Sequence, residues 1–246
     1  ANRTPAKISR SSQGFTEITY VPDLARFEMT DINTSNWKMM RKRVIDIAAA
    51  NPGLKLEFNG EKFKFKTFKE YVDLYVKDSI WERSKDWEFA MGVSKDGYQS
   101  ISFVNSIGTK DGGTHEAYIL NQVVDYLRTM IKKKHKVEVK PSEIKNHIFL
   151  FINCTVLNPA FSSQTKEKLI TEPKDFGTQH TVTEKFAKAV FTSEVIQSLL
   201  DWIEQKKNAD ERAELRKLNK SLGNTKVLKL IDAKGKDRNK CVLGIF

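Results

Sequence analysis

Ser163-Gln164-Thr165-Lys166 is the stretch of this chain best equipped for chemistry, with two hydroxyls, a carboxamide and an ammonium in four consecutive residues. It sits in a loop, Asn158 to Lys168, in which Phe161 is the large apolar residue and predicts a pin to the body. A lysine supplies a compact point charge and a glutamine a directed donor, a set that suits a polyphosphate. The residue types alone leave two readings open, a lysine that is simply solvated or a phosphate contact. A second candidate is Lys132-Lys133-Lys134-His135-Lys136. The helix macrodipole favours cations at a C-terminus, which accounts for one or two of them. The others repel one another, and bound phosphates or counterions would satisfy them equally. A third is Asp111-Gly112-Gly113-Thr114-His115, two glycines tolerant of positive φ and then a hydroxyl. It predicts a strand-to-helix turn with Thr114 as N-cap, in preference to ligand contact by His115. Cys154 and Cys241 have no metal-ligand spacing to each other or to His115, His135, His147 or His180, so no metal site is expected. Two cysteines in a chain of this size fit a reducing compartment.

These residues need elements to hold them. Ile148-Phe149-Leu150-Phe151-Ile152, continuing through Cys154 and Val156, is the most apolar run and predicts a buried strand that Asn158-Pro159 ends. Trp87, Phe89, Met91 and Val93 alternate as a strand, Asp96-Gly97 turns the chain, and Ile101 to Asn105 is expected to return as its pairing partner. A helix from about His115 to Ile131 carries Leu120, Val123, Val124, Leu127 and Ile131 at core spacing. Upstream, Phe15 to Val21 alternates as a strand, and Trp37 to Ala50 is a helix with a basic, solvated face. Asn59-Gly60 between alternating flanks is a strong hairpin signal that sets Leu56 against Phe63, Leu54 against Phe65 and Glu57 against Lys62. Phe68 to Val76 and Thr181 to Phe191 read as short helices. Ser193 caps a long helix from about Glu194, whose apolar stripe (Ile196, Leu199, Leu200, Ile203) gives way after Gln205 to nearly unbroken charge. Such a helix is expected to leave the core.

Two stretches carry a family resemblance. Ser102-Phe103-Val104-Asn105-Ser106-Ile107 with Asp111 to His115, and downstream Pro159-Ala160-Phe161-Ser162-Ser163-Gln164-Thr165-Lys166-Glu167, resemble the "FVN-I", "GG-H" and "QTK loop" signatures of type IIA DNA topoisomerases. That family comprises gyrase, topoisomerase IV, eukaryotic topoisomerase II and T-even-phage relatives, and the similarity extends over nearly the whole chain. It implies the transducer, which couples ATP turnover to the DNA gate. The implied fold is α+β, with a four-stranded sheet, helices on one face and a left-handed βαβ crossover of ribosomal-protein-like type. With it would come the C-terminal end of a GHKL ATPase domain and a long exit helix. The resemblance divides the chain into 1–65 (GHKL remnant and hairpin), 66–192 (transducer), 193–222 (linking helix) and 223–246 (lead-in to a TOPRIM domain).

By the same resemblance Lys166 is the catalytic contact, donating to the γ-phosphate of ATP, with Gln164 assisting and Thr165 shaping the loop. ATP and Mg2+ would be held mainly by an upstream domain and not by this segment alone, which is expected to be inactive. Lys132, Lys133, Lys134 and Lys136 correspond to a lysine-rich loop of eukaryotic topoisomerase II that faces DNA. The expected partners are therefore double-stranded DNA, contacted through its phosphates, and a second subunit of a homodimer or larger complex. The expected location is intracellular, the nucleus for a eukaryotic source and the host cytoplasm for a bacterial or phage one. The lysine run and Phe103 to Ile107 lean to the eukaryotic and phage side, whereas Asp111 to His115 and Ser162 to Lys166 also read like gyrase. The start, Ala1 to Pro5, looks like a cut inside a longer protein. The final segment stops where the family continues with Glu-Gly, and Gly244 and Phe246 depart from its usual aliphatic strand, so this tail is expected to lack a sheet to join.

Composition sets the outer bounds. The chain has 246 residues, 39% hydrophobic with 15 Phe and 4 Trp, enough for real cores, and no apolar run long enough for a membrane span. Its net charge of +11 suits a polyanionic partner. No aromatics interleave with the basic clusters, so a nucleic acid would be contacted at its phosphates. Two other classes compete: the second domain of a mismatch-repair-type GHKL ATPase, and a non-enzymatic basic nucleic-acid-binding domain as in ribosomal proteins. The first lacks the Gln-Thr-Lys and Gly-Gly-Thr-His pair, and the second would bind RNA alone.

Overall fold

The computed structural model describes residues 14–221 and the single residue 236. The expectations for the first thirteen residues and for the strand-like parts of the tail lie outside the described residues. At the centre is β7 (Ile148–Cys154), antiparallel to β4 (Trp87–Val93) from Val93↔Ile148 to Trp87↔Cys154 and parallel to β5 (Gln99–Val104) from Gln99↔Phe149 to Val104↔Cys154. β3 (Ile80–Arg83) flanks β4 and β6 (Ile107–Gly108) flanks β5, giving the order β3-β4-β7-β5-β6. The expected direct pairing of β4 with β5 across Asp96-Gly97 does not occur, because β7 lies between them. A strand apolar at both odd and even positions gains most where both its faces are covered, and that place is the middle of the sheet.

The same property corrects two further expectations. The sheet of the described residues has five strands and not four, and its helices lie on both faces and not one. Side chains alternate across a strand. Ile148, Leu150, Ile152 and Cys154 point with Trp87, Phe89 and Met91 into a cluster closed by α3 (Thr114–His135), the short α4 (Pro141–Lys145), α5 (Glu184–Phe191) and α6 (Glu194–Ser221). Phe151, with Ala90 and Phe103, points the other way, against α1 (Thr34–Ala50) and α2 (Phe68–Val72). The two extra edge strands are short, and Ile80-Trp81-Glu82-Arg83 has no clean alternation to announce it.

The hairpin β1 (Leu56–Phe58) and β2 (Glu61–Phe63) forms as expected around Asn59 and Gly60, whose φ of 48° and 86° suit a primed turn. Leu56 faces Phe63 and Glu57 faces Lys62, but the ladder stops there, and Gly53 N–H reaches Phe65 C=O in place of a Leu54–Phe65 pair. Its apolar side rests on α1, with Trp37 and Phe58 ring centroids 5.9 Å apart. Helix α1 starts three residues before Trp37 because Asn33 caps it, accepting from Asn36 N–H at 2.9 Å. α2 stops at Val72 and not Val76. α5 begins at Glu184 and not Thr181, since Thr183 takes the N-cap and accepts from Phe186 N–H at 3.1 Å.

Phe15 to Val21 forms no strand, and Phe15, Ile18, Tyr20 and Val21 are exposed. An alternating pattern becomes a strand only when another edge supplies its hydrogen bonds, and none among the described residues does. α6 behaves as its pattern predicts. Ser193 Oγ accepts from Val195 N–H at 3.3 Å, Val195, Ile196 and Leu199 are buried, and every side chain from Glu204 to Leu218 is exposed.

Candidate functional site

Two motifs some 50 residues apart in sequence meet in space. After β5, Asn105 and Ser106 adopt positive φ (51° and 66°), and the chain reaches Gly112 and Gly113 at φ 66° and 147° before entering α3. Those two glycines are stitched to Leu169, at the base of the lysine loop: Leu169 N–H donates to Gly112 C=O at 3.1 Å and Thr114 N–H to Leu169 C=O at 3.2 Å. Asp111 N–H adds a bond to Glu167 C=O at 3.0 Å, and Lys110 pairs with the Glu167 carboxylate at 2.8 Å. A Cβ on Gly113 would stand 2.4 Å from Leu169 O, so only glycine lets the two backbones approach this closely.

The loop itself is braced from inside. Phe161 and Leu169 bridge its stem, Ser162 N–H donates to Lys168 C=O at 3.0 Å and Lys166 N–H to Ser163 C=O at 3.1 Å. Ser163 Oγ and Thr165 Oγ1 share a hydrogen bond of 2.8 Å. Lys166 itself adopts the left-handed region (φ 58°). Its ammonium is exposed, makes no ion pair among the described residues, and lies 5.9 Å from the Phe161 ring. Gln164 is exposed beside it. An unpaired cation and a free carboxamide on a fixed loop are the right donors for a phosphate. Thr165, by contrast, has its hydroxyl engaged with Ser163, which fits a loop-shaping part.

Asn105 belongs to the Phe-Val-Asn motif, and the fold shows what it does there. It grips Val156 from both sides, Nδ2 donating to Val156 C=O and Oδ1 accepting from Val156 N–H, each at 2.9 Å. The clamp fixes the exit of β7 just before the lysine loop begins. A non-glycine residue after a strand is no signal for positive φ, so only the asparagine itself, tolerant of that region, could have pointed to it.

His115 is fully buried and structural. Thr109 Oγ1 lies 3.2 Å from its Nε2, its Nδ1 has no partner among the described residues, and burial holds its pKa down at about 4. Glu116 next to it is also buried and accepts from Ser102 Oγ at 2.6 Å and Tyr98 Oη at 2.9 Å. Gly113, and not Thr114, is the N-cap of α3, and Thr114 Oγ1 finds no partner among the described residues.

The lysine run is not part of this cluster. α3 extends past the expected end at Ile131 to His135, so Lys132, Lys133 and Lys134 occupy its last turn and Lys136 (φ 58°) closes it. The 22-residue helix places them roughly 30 Å from the Gly112-Gly113 turn at about 1.5 Å per residue. Lys132 pairs with Glu138 at 2.6 Å and Lys134 stands 5.0 Å over the Phe191 ring. Lys133 and Lys136 are exposed without an ion pair among the described residues. Capping therefore explains part of the run, as its composition suggested. Among the described residues no three His, Cys, Asp or Glu side chains gather as a metal site would need, and no helix is long and apolar enough to cross a membrane.

Comparison with known proteins gives this geometry a family. Residues 56–219 match the family model described as DNA gyrase B. The chain is 39% identical over 97% of its length to human DNA topoisomerase 2-beta and 37% identical over 99% to DNA topoisomerase 2 of Bombyx mori, spanning 16% and 17% of those enzymes. Among solved structures it is similar to the ATPase region of Saccharomyces cerevisiae topoisomerase II (39% identity, TM-score 0.68, covering 74% of this chain and 48% of that one). It is also similar to the ATPase and transducer domains of DNA topoisomerase II from Balamuthia mandrillaris (37%, TM-score 0.70, 76% and 49%). A gyrase B subunit from Myxococcus xanthus, at 16% identity and TM-score 0.55, shares the fold. Since the matched span takes in the sheet, the Gly-Gly turn and the lysine loop together, the chain belongs to the type IIA DNA topoisomerases, on their eukaryotic side.

Proposed function

We propose that this segment is the transducer of an ATP-hydrolysing type IIA topoisomerase and that Lys166 senses the terminal phosphate of the nucleotide. The observation that carries the reading is an exposed ammonium, free of ion pairs among the described residues, on a loop whose stem is hydrogen-bonded into the sheet-to-α3 turn. Lys166 would hold the γ-phosphate and Gln164 would add a donor, while Thr165 keeps the loop in shape through Ser163. ATP with Mg2+, bound mainly by an upstream GHKL domain, supplies the phosphoanhydride chemistry. Because Lys166 has that partner only before hydrolysis, the loop would engage and release with each turnover, and the transducer would rotate relative to the ATPase domain. The division at 65/66, 192/193 and 222/223, the left-handed crossover and a dimeric intact enzyme acting on duplex DNA belong to the same reading. Membership of the family sets aside the mismatch-repair and ribosomal-protein alternatives.

A charge-assisted hydrogen bond of this kind contributes about 1.5–3 kcal/mol, or roughly ten- to a hundredfold. Lys166→Ala in the full-length enzyme should slow ATP hydrolysis and strand passage together by that factor. An unchanged ATPase rate would remove Lys166 from the mechanism.

A further inference from the structure

The surface built by α1 and the β1–β2 hairpin carries a charge excess that neither the fold nor the function above uses. Between Trp37 and Lys66 stand eight cations against three carboxylates. Asp46 is taken by Lys42 at 2.7 Å and by Tyr71 Oη at 2.8 Å, and Glu61 is taken by Arg41. That leaves Glu57, opposite Lys62. Lys38, Arg43, Lys55, Lys64 and Lys66 are exposed and make no ion pair among the described residues. Their mutual repulsion gives the folded chain nothing, and an external anion would relieve it.

The kind of anion follows from the alternation. Contrary to the expectation from composition, aromatics do alternate with cations in Lys62-Phe63-Lys64-Phe65-Lys66, but Phe63 and Phe65 are partly buried while the three lysines stay in solvent. Trp37 is the exposed ring of this surface and it packs against Phe58, so no row of rings is offered for stacking successive unpaired bases. On one strand of a duplex each phosphate rises about 3.4 Å along the axis while winding round it, so a cluster of unpaired lysines can meet several phosphates without reading a sequence.

We propose that the α1–hairpin surface binds duplex DNA through backbone phosphates, independently of Lys132 to Lys136. The two patches stand on opposite faces of the sheet, since α1 packs on the Phe103–Phe151 face and α3 on the Leu150–Ile152 face. They are therefore separate surfaces, and each has its own variant.

The test is duplex binding by the 246-residue chain, followed by fluorescence anisotropy with a random-sequence probe from about 50 to 200 mM salt. Replacing Lys55, Lys62, Lys64 and Lys66 together by glutamine should flatten the slope of log K against log salt by about 0.9 for each phosphate no longer neutralised, up to about 3–4 in all. Its urea midpoint should be unchanged or higher. Glutamine at Lys132, Lys133, Lys134 and Lys136 should flatten the slope by a separate amount, and the combined variant should show the sum. A slope unaltered by the hairpin variant overturns the proposal, whatever the α3 variant does, and so does a wild-type chain that fails to bind duplex. Polyglutamate competing as well as duplex at equal charge would also overturn it and assign the surface to an acidic protein.

Discussion

His115 and Lys166 are both polar residues in signature motifs, yet their surroundings give them opposite work. His115 is enclosed, with Thr109 as its hydrogen-bond partner among the described residues, and burial disfavours the imidazolium so that its pKa falls from 6.5 to about 4. The unfolded chain therefore takes up a proton near pH 6.5 that the folded chain refuses until about pH 4, and stability drops as pH falls through that window. A shift of this size is worth roughly 3 kcal/mol, at about 1.36 kcal/mol per pH unit. Urea unfolding of wild type and His115→Gln at pH 7 and pH 4 should show the wild type losing about that much more on acidification. Equal losses would place the pH dependence elsewhere. Lys166 is the reverse case, an exposed charge on a braced loop and so open to an incoming anion. Nothing in Gln-Thr-Lys distinguishes that lysine from a solvated one. The hydrogen bonds that brace the loop beneath it are what support the phosphate reading proposed above.

At the scale of the element, α6 is two helices in one. Its first turns bury Val195, Ile196 and Leu199 against the sheet, and its later turns stay in solvent. Leu199→Ala should cost about 2–5 kcal/mol because it opens a cavity in the core, whereas Leu215→Ala, 59% exposed, should stay within about 0.5 kcal/mol. Denaturant midpoints with unchanged m-values would check both. If Leu215→Ala proved as costly as Leu199→Ala, the outer half of α6 would have to pack on something. Elements with a clean period were legible in the sequence: α1, the hairpin, β4, β7 and the inner half of α6. The misses share a cause. Phe15 to Val21 has a strand's pattern without a partner, and β3 has a partner without the pattern.

For the whole molecule, one sheet serves two cores. The α1 end of the chain is tied to it by more than apolar contact: Asn153 Nδ2 donates to Ala50 C=O at 3.0 Å and Ser106 Oγ to Asn51 Oδ1 at 2.8 Å. Phe68, Tyr71, Phe103 and Phe151 pack in the same cluster as Ala49 and Ala50, so this core spans both sides of position 65. Residues 34–65 should thus unfold with the sheet as one cooperative body. Native-state hydrogen exchange would check this: the amides of Ala48, Ala49 and Ala50 should exchange with the same free energy as those of Leu150 to Ile152. A lower value for α1 would mean that it opens as a separate unit.

The sequence by itself determined what the regularly patterned strands and helices would bury, because side-chain period is a local property, and its two motifs sufficed to indicate the family. Only the tertiary structure decided who stands next to whom. Whether Asp96-Gly97 joins neighbours depended on where β7, some 50 residues later, would find cover for both faces. Likewise, the Gly-Gly turn and the lysine loop became a single site only once Leu169 was bonded between Gly112 and Thr114. Such pairings rest on backbone groups that every residue possesses, so no residue type announces them in advance.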